Sequence, residues 1–203
     1  MAVINRSIGC LLALLFLAST ARAGEPLLLG IDHTPIVVGD LEKAQADFRV
    51  MGFAIKPGRF HADGIQNAHV KFVDGTELEL ISAPAANDAL TSEYAAKAQA
   101  GDGPLYWGLW ASDQAVLAAR LNTLGFAATK DAGTLGFAPG DGLHRLFFGS
   151  GEKSPTDRPE HFAHANGALR VSGLWIRGNA GARDLLARLD VPVHRRRGLW
   201  AVG

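Results

Sequence analysis

The chain has 203 residues, with 20 lysines and arginines against 20 aspartates and glutamates and a single cysteine. Balanced charge excludes the electrostatic footprint expected for nucleic acid or an anionic membrane surface. One cysteine excludes a disulfide framework or a thiolate metal cluster, and the length suffices for one domain with a substantial core.

The first predicted element is a leader. Residues 1–23 carry an early Arg6, an apolar run from Ile8 to Ala18 and a small-residue cleavage site at Ala21-Arg22-Ala23, the three parts of a secretory signal. The apolar run falls short of the roughly 20 residues that span a bilayer. Cleavage after Ala23 predicts a periplasmic or secreted protein without membrane attachment. It also removes Cys10, so no thiol remains to act as nucleophile.

The next stretch reads as one unit. Ile31 to Val38 alternates as a strand. Asp40 then stands as an N-cap, Leu41, Ala44, Phe48 and Met51 recur at helical spacing, and Gly52 stops the helix. Strands are predicted over 53–56, 68–73 and 77–81, the last two joined by the hairpin signal Asp74-Gly75. The order is β-α-β-β-β. Alternation turns Ile36, Val70, Leu78 and Leu80 toward the helix and gathers His33, His69, Lys71, Glu77 and Glu79 on the other face. That face is either washed by solvent or the lining of a polar pocket.

Residues 83–103 form a polar, alanine-rich crossover with a short helix over 91–99. A second unit follows. Asp113 and Gly125-Phe126 stand as far apart as Asp40 and Gly52-Phe53, with Val116, Leu117, Leu121 and Leu124 along the helix between them. Its first strand is predicted over 105–110 and its last over 143–148. The offset that carries Asp40 onto Asp113 carries His33 onto Tyr106. The counterpart of Glu79 is Leu146 if Asp141-Gly142 is the matching hairpin, or Glu152 if the offset is kept ungapped. From Leu169 a third unit begins, with a strand to Ile176, a helix over 182–189 behind the cap Asn179, and two short strands around the basic turn His194-Arg195-Arg196-Arg197.

Asp32-His33, the helix ending in Gly52-Phe53, the Gly64-Ile65-Gln66-Asn67 turn and Glu77-Leu78-Glu79-Leu80-Ile81 together resemble the glyoxalase-like domains of the vicinal oxygen chelate superfamily. The resemblance is specific over 31–84 and looser beyond. It implies an α+β fold in which paired βαβββ modules, here 31–84 and 105–152 within a domain spanning 25–168, form a curved mixed sheet around a cavity. Residues 169–203 are then a partial third unit.

The resemblance also implies a divalent metal (zinc, manganese, iron or nickel) held by a first-strand histidine and a fourth-strand glutamate, which are His33 and Glu79 here. Tyr106 breaks the pattern in the second module, and His144, His69 and Glu77 are the candidates to complete the shell, because such ions take three or four protein ligands. Glu77 and His69 are also the candidates to move a proton. Tyr106, Trp110 and Phe148 are expected to floor the cavity, unless the tryptophans are core fillers. Asn67 is a further candidate contact. The stretch His164-Ala165-Asn166-Gly167-Ala168 resembles one branch of the same family, which places His164 and Asn166 at the cavity mouth; the other reading is a tight Asn-Gly turn.

Two functions follow. One is an exported metal-dependent lyase, isomerase or ring-cleaving dioxygenase. The other is a module that only binds or sequesters a small organic molecule. A small molecule is the expected partner of either, with a homodimer compatible with both.

Overall fold

The structure is a computed structural model and describes residues 26–131, 133–151 and 154–203. The predicted leader, residues 1–23, and Glu152 lie outside the described residues. Among the described residues no helix is long and apolar enough to cross a membrane.

Two extended runs organise the molecule. The first holds β1 (Leu28–Ile31) and β2 (His33–Val37), and the second β6 (Gly103–Pro104) and β7 (Trp107–Ala111). They pair antiparallel, with Ile31 opposite Leu109 and Ile36 opposite Pro104. Between those pairs Asp32 N donates to Gly108 O at 2.9 Å and Leu105 N to Pro35 O at 3.3 Å. Each run therefore leaves one sheet and enters the other.

The first sheet has the order β3-β4-β5-β2-β6, from β3 (Lys56–Phe60), β4 (Gln66–Lys71) and β5 (Glu77–Ser82). The second has the order β1-β7-β10-β9-β8, from β8 (Ala128–Asp131), β9 (Thr134–Phe137) and β10 (Leu146–Gly149). The first strand of each module pairs parallel with its last, β2 with β5 and β7 with β10. This repeat is the paired βαβββ arrangement, and the α+β class follows from it.

Local chemistry explains the helices. Asp40 caps α1 (Leu41–Val50) by accepting from Lys43 N at 2.9 Å, and Gly52 ends it at φ +87, a conformation that costs a residue with a Cβ. Ala44 of α1 packs on Val38, Ala68 and Leu80. Asp113 caps α3 (Gln114–Thr123) in the same way, and Leu117 and Leu121 bury its inner side. Val116 does not join them and is 44% exposed. The crossover contains α2 (Ala89–Gln99), opened by a reciprocal cap between Asp88 and Thr91. The Asp74-Gly75 hairpin forms as expected, with Phe72 N donating to Thr76 O at 3.0 Å.

The last segment contributes β11 (Leu174–Arg177), α4 (Ala180–Arg188), β12 (His194–Arg196) and β13 (Leu199–Val202). Its strands form a separate antiparallel sheet, β11-β13-β12. Leu185, Leu186, Trp200 and Val202 enter the same core as Leu117, Leu146 and Phe148 of the second module. Trp200 meets Trp107 edge-on at 5.9 Å, so the core runs on past residue 168.

Candidate functional site

Pairing registers place His33, Glu77, Glu79, His69 and Lys71 on the face of the first sheet turned away from α1. Two of them reach a cavity. His33 and Glu79 line a space of about 390 Å³, bounded by α2 and by the β8–β9 side of the second sheet.

His33 Nδ1 lies 2.6 Å from Asp32 Oδ1 and its Nε2 lies 3.7 Å from Glu79 Oε2. A carboxylate only accepts, so Nδ1 carries the hydrogen and Nε2 faces Glu79. Asn67 holds Glu79 from behind, donating to Oε1 at 2.7 Å while its own carbonyl accepts from Arg59 N at 2.9 Å. Asp32 occupies space that Gly149 leaves free, since a Cβ there would strike its carboxylate. Gly151 N also donates to Asp32 at 3.2 Å. The Phe147 ring stands over His33, with centroids 4.7 Å apart. Burial lowers the basicity of His33, but the Asp32 hydrogen bond and the Glu79 and Glu77 charges outweigh it, and its pKa is raised above the ordinary 6.5.

The opposite wall has its own polar group. Tyr106 donates to Glu93 Oε2 at 2.7 Å, and His144 Nε2 lies 2.8 Å from Glu93 Oε1 and 3.0 Å from the Tyr106 hydroxyl. Burial opposes ionisation of Glu93, yet the Tyr106 and His144 hydrogen bonds hold its pKa below the usual value. Burial and the neighbouring Glu93 carboxylate push the Tyr106 hydroxyl well up. The remaining lining is mainly apolar, with Pro35, Leu90, Tyr94, Phe137 and Leu146 among it.

Several predicted site residues stand elsewhere. Glu77 and His69 do not line the cavity. His69 Nδ1 lies 2.5 Å from Glu77 Oε1, and Lys71 Nζ lies 2.9 Å from Glu77 Oε2 and 3.2 Å from Asp157. Lys56 pairs with Asp157 at 2.5 Å. Alternation assigned the correct face, but a face extends beyond the cavity, and residues 154–168 cover this part of it.

His164 and Asn166 belong to that covering segment. His164 Nδ1 accepts from Ala54 N at 3.0 Å and Nε2 donates to Lys71 O at 2.9 Å, leaving neither ring nitrogen free. Asn166 donates to Met51 O at 2.9 Å and its backbone N to Gly52 O at 3.2 Å, which satisfies the end of α1. Both tie a strap to the first module.

Trp110 lies against Gly75 and Gly151 rather than in the cavity. Phe148 is fully buried in the second-module core, and its neighbour Phe147 is the cavity residue, because β10 turns alternate side chains to opposite faces. His144 lines the cavity from a turn that precedes β10, not from the strand.

Register also settles the repeat. Thr34 pairs with Leu78 as Trp107 pairs with Leu146, so Tyr106 corresponds to His33 and Phe147 to Glu79. The counterpart of Glu79 is thus Phe147 rather than Leu146. Where a second pair of ligands would stand, the second module presents a phenol and a phenyl ring. Among the described residues no group of three or more His, Cys, Asp or Glu side chains is arranged to hold a metal ion. His33 and Glu79 supply two donors, which does not make a closed protein site for a divalent ion.

Asp32, Glu93, Phe147 and Gly149 were not singled out as site residues from sequence. The signals were faint: an acid next to a histidine, one glutamate in a crossover helix, and a glycine whose value lies in a close approach.

The profile of the glyoxalase-like domain matches residues 31–189. No curated protein sequence matches the chain. Among solved structures, a methylmalonyl-CoA epimerase is 15% identical with a TM-score of 0.51, covering 62% of this chain and 98% of its own. A hypothetical protein from Staphylococcus aureus is 13% identical with a TM-score of 0.55, covering 82% of this chain and 77% of its own. The methylmalonyl-CoA epimerase from Mycobacterium tuberculosis is 20% identical with a TM-score of 0.47, covering 61% and 90%. At these identities the likeness is one of fold. The profile covers most of the chain, and with the paired modules described above it places this protein in the glyoxalase-like domain family of the vicinal oxygen chelate superfamily.

Proposed function

We propose that the protein is a small-molecule enzyme of the isomerase or lyase type, in which His33 and Glu79 transfer a proton to and from a carbon-bound centre of the substrate. The observation that carries this reading is the pair itself. A histidine and a carboxylate stand 3.7 Å apart in a mainly apolar cavity, each fixed from behind by its own partner, Asp32 or Asn67. A solvated structural pair has no need of such support. Here Asn67 occupies Glu79 Oε1 and leaves Oε2 to act, while Asp32 fixes the ring so that Nε2 meets the same spot.

The mainly apolar lining suits a carbon skeleton held against the pair. Phe147 fills the position from which the second module would otherwise present a polar side chain. A divalent metal is the second reading, favoured by the carboxylate-supported histidine with Nε2 aimed at Glu79. With two protein donors, the rest of its shell would have to come from substrate and water. Export to the periplasm or beyond, inferred from residues 1–23, belongs to the same proposal.

The test is solvent exchange. Purified mature protein is incubated in deuterium oxide with pooled small carbonyl compounds, and deuterium incorporation at carbon is read by mass spectrometry. Wild type should label at least one compound, and Glu79→Gln should slow that labelling about 100-fold or more. Labelling at the wild-type rate by both Glu79→Gln and His33→Ala would overturn the assignment of the pair.

A further inference from the structure

The wall facing His33 and Glu79 carries a network that the proposed proton transfer does not use. His144 Nδ1 lies 3.2 Å from the Phe137 carbonyl oxygen, which can only accept. Its Nε2 lies 2.8 Å from a Glu93 carboxylate oxygen, which also only accepts when ionised. Nε2 therefore carries a hydrogen and donates it to Glu93, and any hydrogen on Nδ1 is taken by the Phe137 carbonyl. The one hydrogen of the Tyr106 hydroxyl goes to the other Glu93 oxygen at 2.7 Å.

Every hydrogen in the network is thus spent inside it. What remains for a ligand is the unused lone pairs of Glu93 and of the Tyr106 oxygen. On the first wall Glu79 has one oxygen bound to Asn67 and the other open, Asp32 is engaged by His33 and Gly151, and His33 Nε2 is turned toward Glu79. Asp131 adds a third carboxylate to the described lining, while Lys and Arg contribute none of the described lining residues.

We propose that Glu93, His144 and Tyr106 form a second anchor of this cavity, and that its ligand is a small non-anionic molecule carrying hydrogen-bond donors, hydroxyl or N–H, at both ends of an apolar body. This rests on the cavity being the small-molecule site. Two acceptor poles reward a donor at each end and reject a carboxylate or phosphate, which would meet like charge and leave its own lone pairs unpaired. Glu93 is suited to a specificity role because α2 brings it from the crossover, outside the repeated sheets. Tyr94 of the same helix packs edge-on against Tyr106 at 5.9 Å and holds the helix to the second module.

The test uses two probes of one shape, 4-hydroxybenzamide and 4-hydroxybenzoate, titrated into the mature protein while ¹⁵N-labelled histidine side chains are followed by NMR. The amide should perturb both His33 and His144 and bind at least about tenfold tighter than the carboxylate. Glu93→Gln keeps the size of the side chain, replaces an acceptor by a donor, and should narrow that ratio to about threefold or less. If the carboxylate binds as tightly as the amide, or Glu93→Gln leaves the ratio unchanged, the second anchor is refuted and the small-molecule cavity stands. If neither probe moves His33 or His144 at millimolar concentration, both the anchor and the cavity reading fall.

Discussion

Glu77→Gln separates a structural role from a chemical one for the charged face of the first sheet. The side chain is part-buried against His69 and Lys71, 2.5 and 2.9 Å away. Burial alone would raise its pKa, but the His69 and Lys71 hydrogen bonds and charges bring it from 4.5 down to about 2. That gap corresponds to about 3 kcal/mol of folding free energy. A carboxylate with a depressed folded value stabilises the protein above its unfolded value and loses that contribution as the pH falls through the folded one. The stabilisation from Glu77 is therefore complete above pH 4.5 and drains away toward about pH 2.

Glutamine keeps the shape and removes the charge, leaving Lys71 with Asp157 alone. Urea unfolding at pH 7 should show a loss of about 3 kcal/mol, or a fall in Tm of about 6–12 °C for a chain of this size. The difference between variant and wild type should close as the pH approaches about 2. A loss below about 1 kcal/mol at pH 7, or a difference that does not change with pH, would refute the reasoning. If the variant instead folded like wild type but lost proton exchange, Glu77 would be chemical after all.

Three further outcomes are expected. Zinc, manganese, iron(II) and nickel, each in tenfold excess, should leave the Tm unchanged, because only two donors converge; a rise abolished by His33→Ala would show that the shell is completed and the metal reading is right. Ending the chain after Gly178 should abolish cooperative unfolding, since Leu185, Leu186, Trp200 and Val202 are buried in the second-module core and each contributes about 1.5–3 kcal/mol of burial; a two-state transition in the truncated protein would contradict this. Expressed with its own leader in a Gram-negative host, the protein should be recovered outside the cytoplasm beginning at Gly24, and intact mass spectrometry showing residues 1–23 on exported protein would refute the leader.

The sequence by itself determined the βαβββ repeat, because its signals are local. An Asp cap, helical spacing and a glycine stop recur in register at Asp40–Gly52 and Asp113–Gly125, and Asp74-Gly75 marks its hairpin within a few residues of chain. It also determined which side chains share a face, since the period of a strand is fixed by its backbone. His33 and Glu79 come together for that reason. What tertiary structure alone decided is how far along each face the cavity reaches. Alternation could not tell His33 and Glu79, which face the cavity, from His69 and Glu77, which lie under the strap held by Asp157, His164 and Asn166. Nor could it find Glu93, because a crossover helix is placed by packing against Tyr106 and not by any period of its own. The choice between Phe147 and Phe148 depended on strand register against Gly108 and Leu109. Register is set by partners distant in the chain, and a change of one residue exchanges a core side chain for a cavity wall.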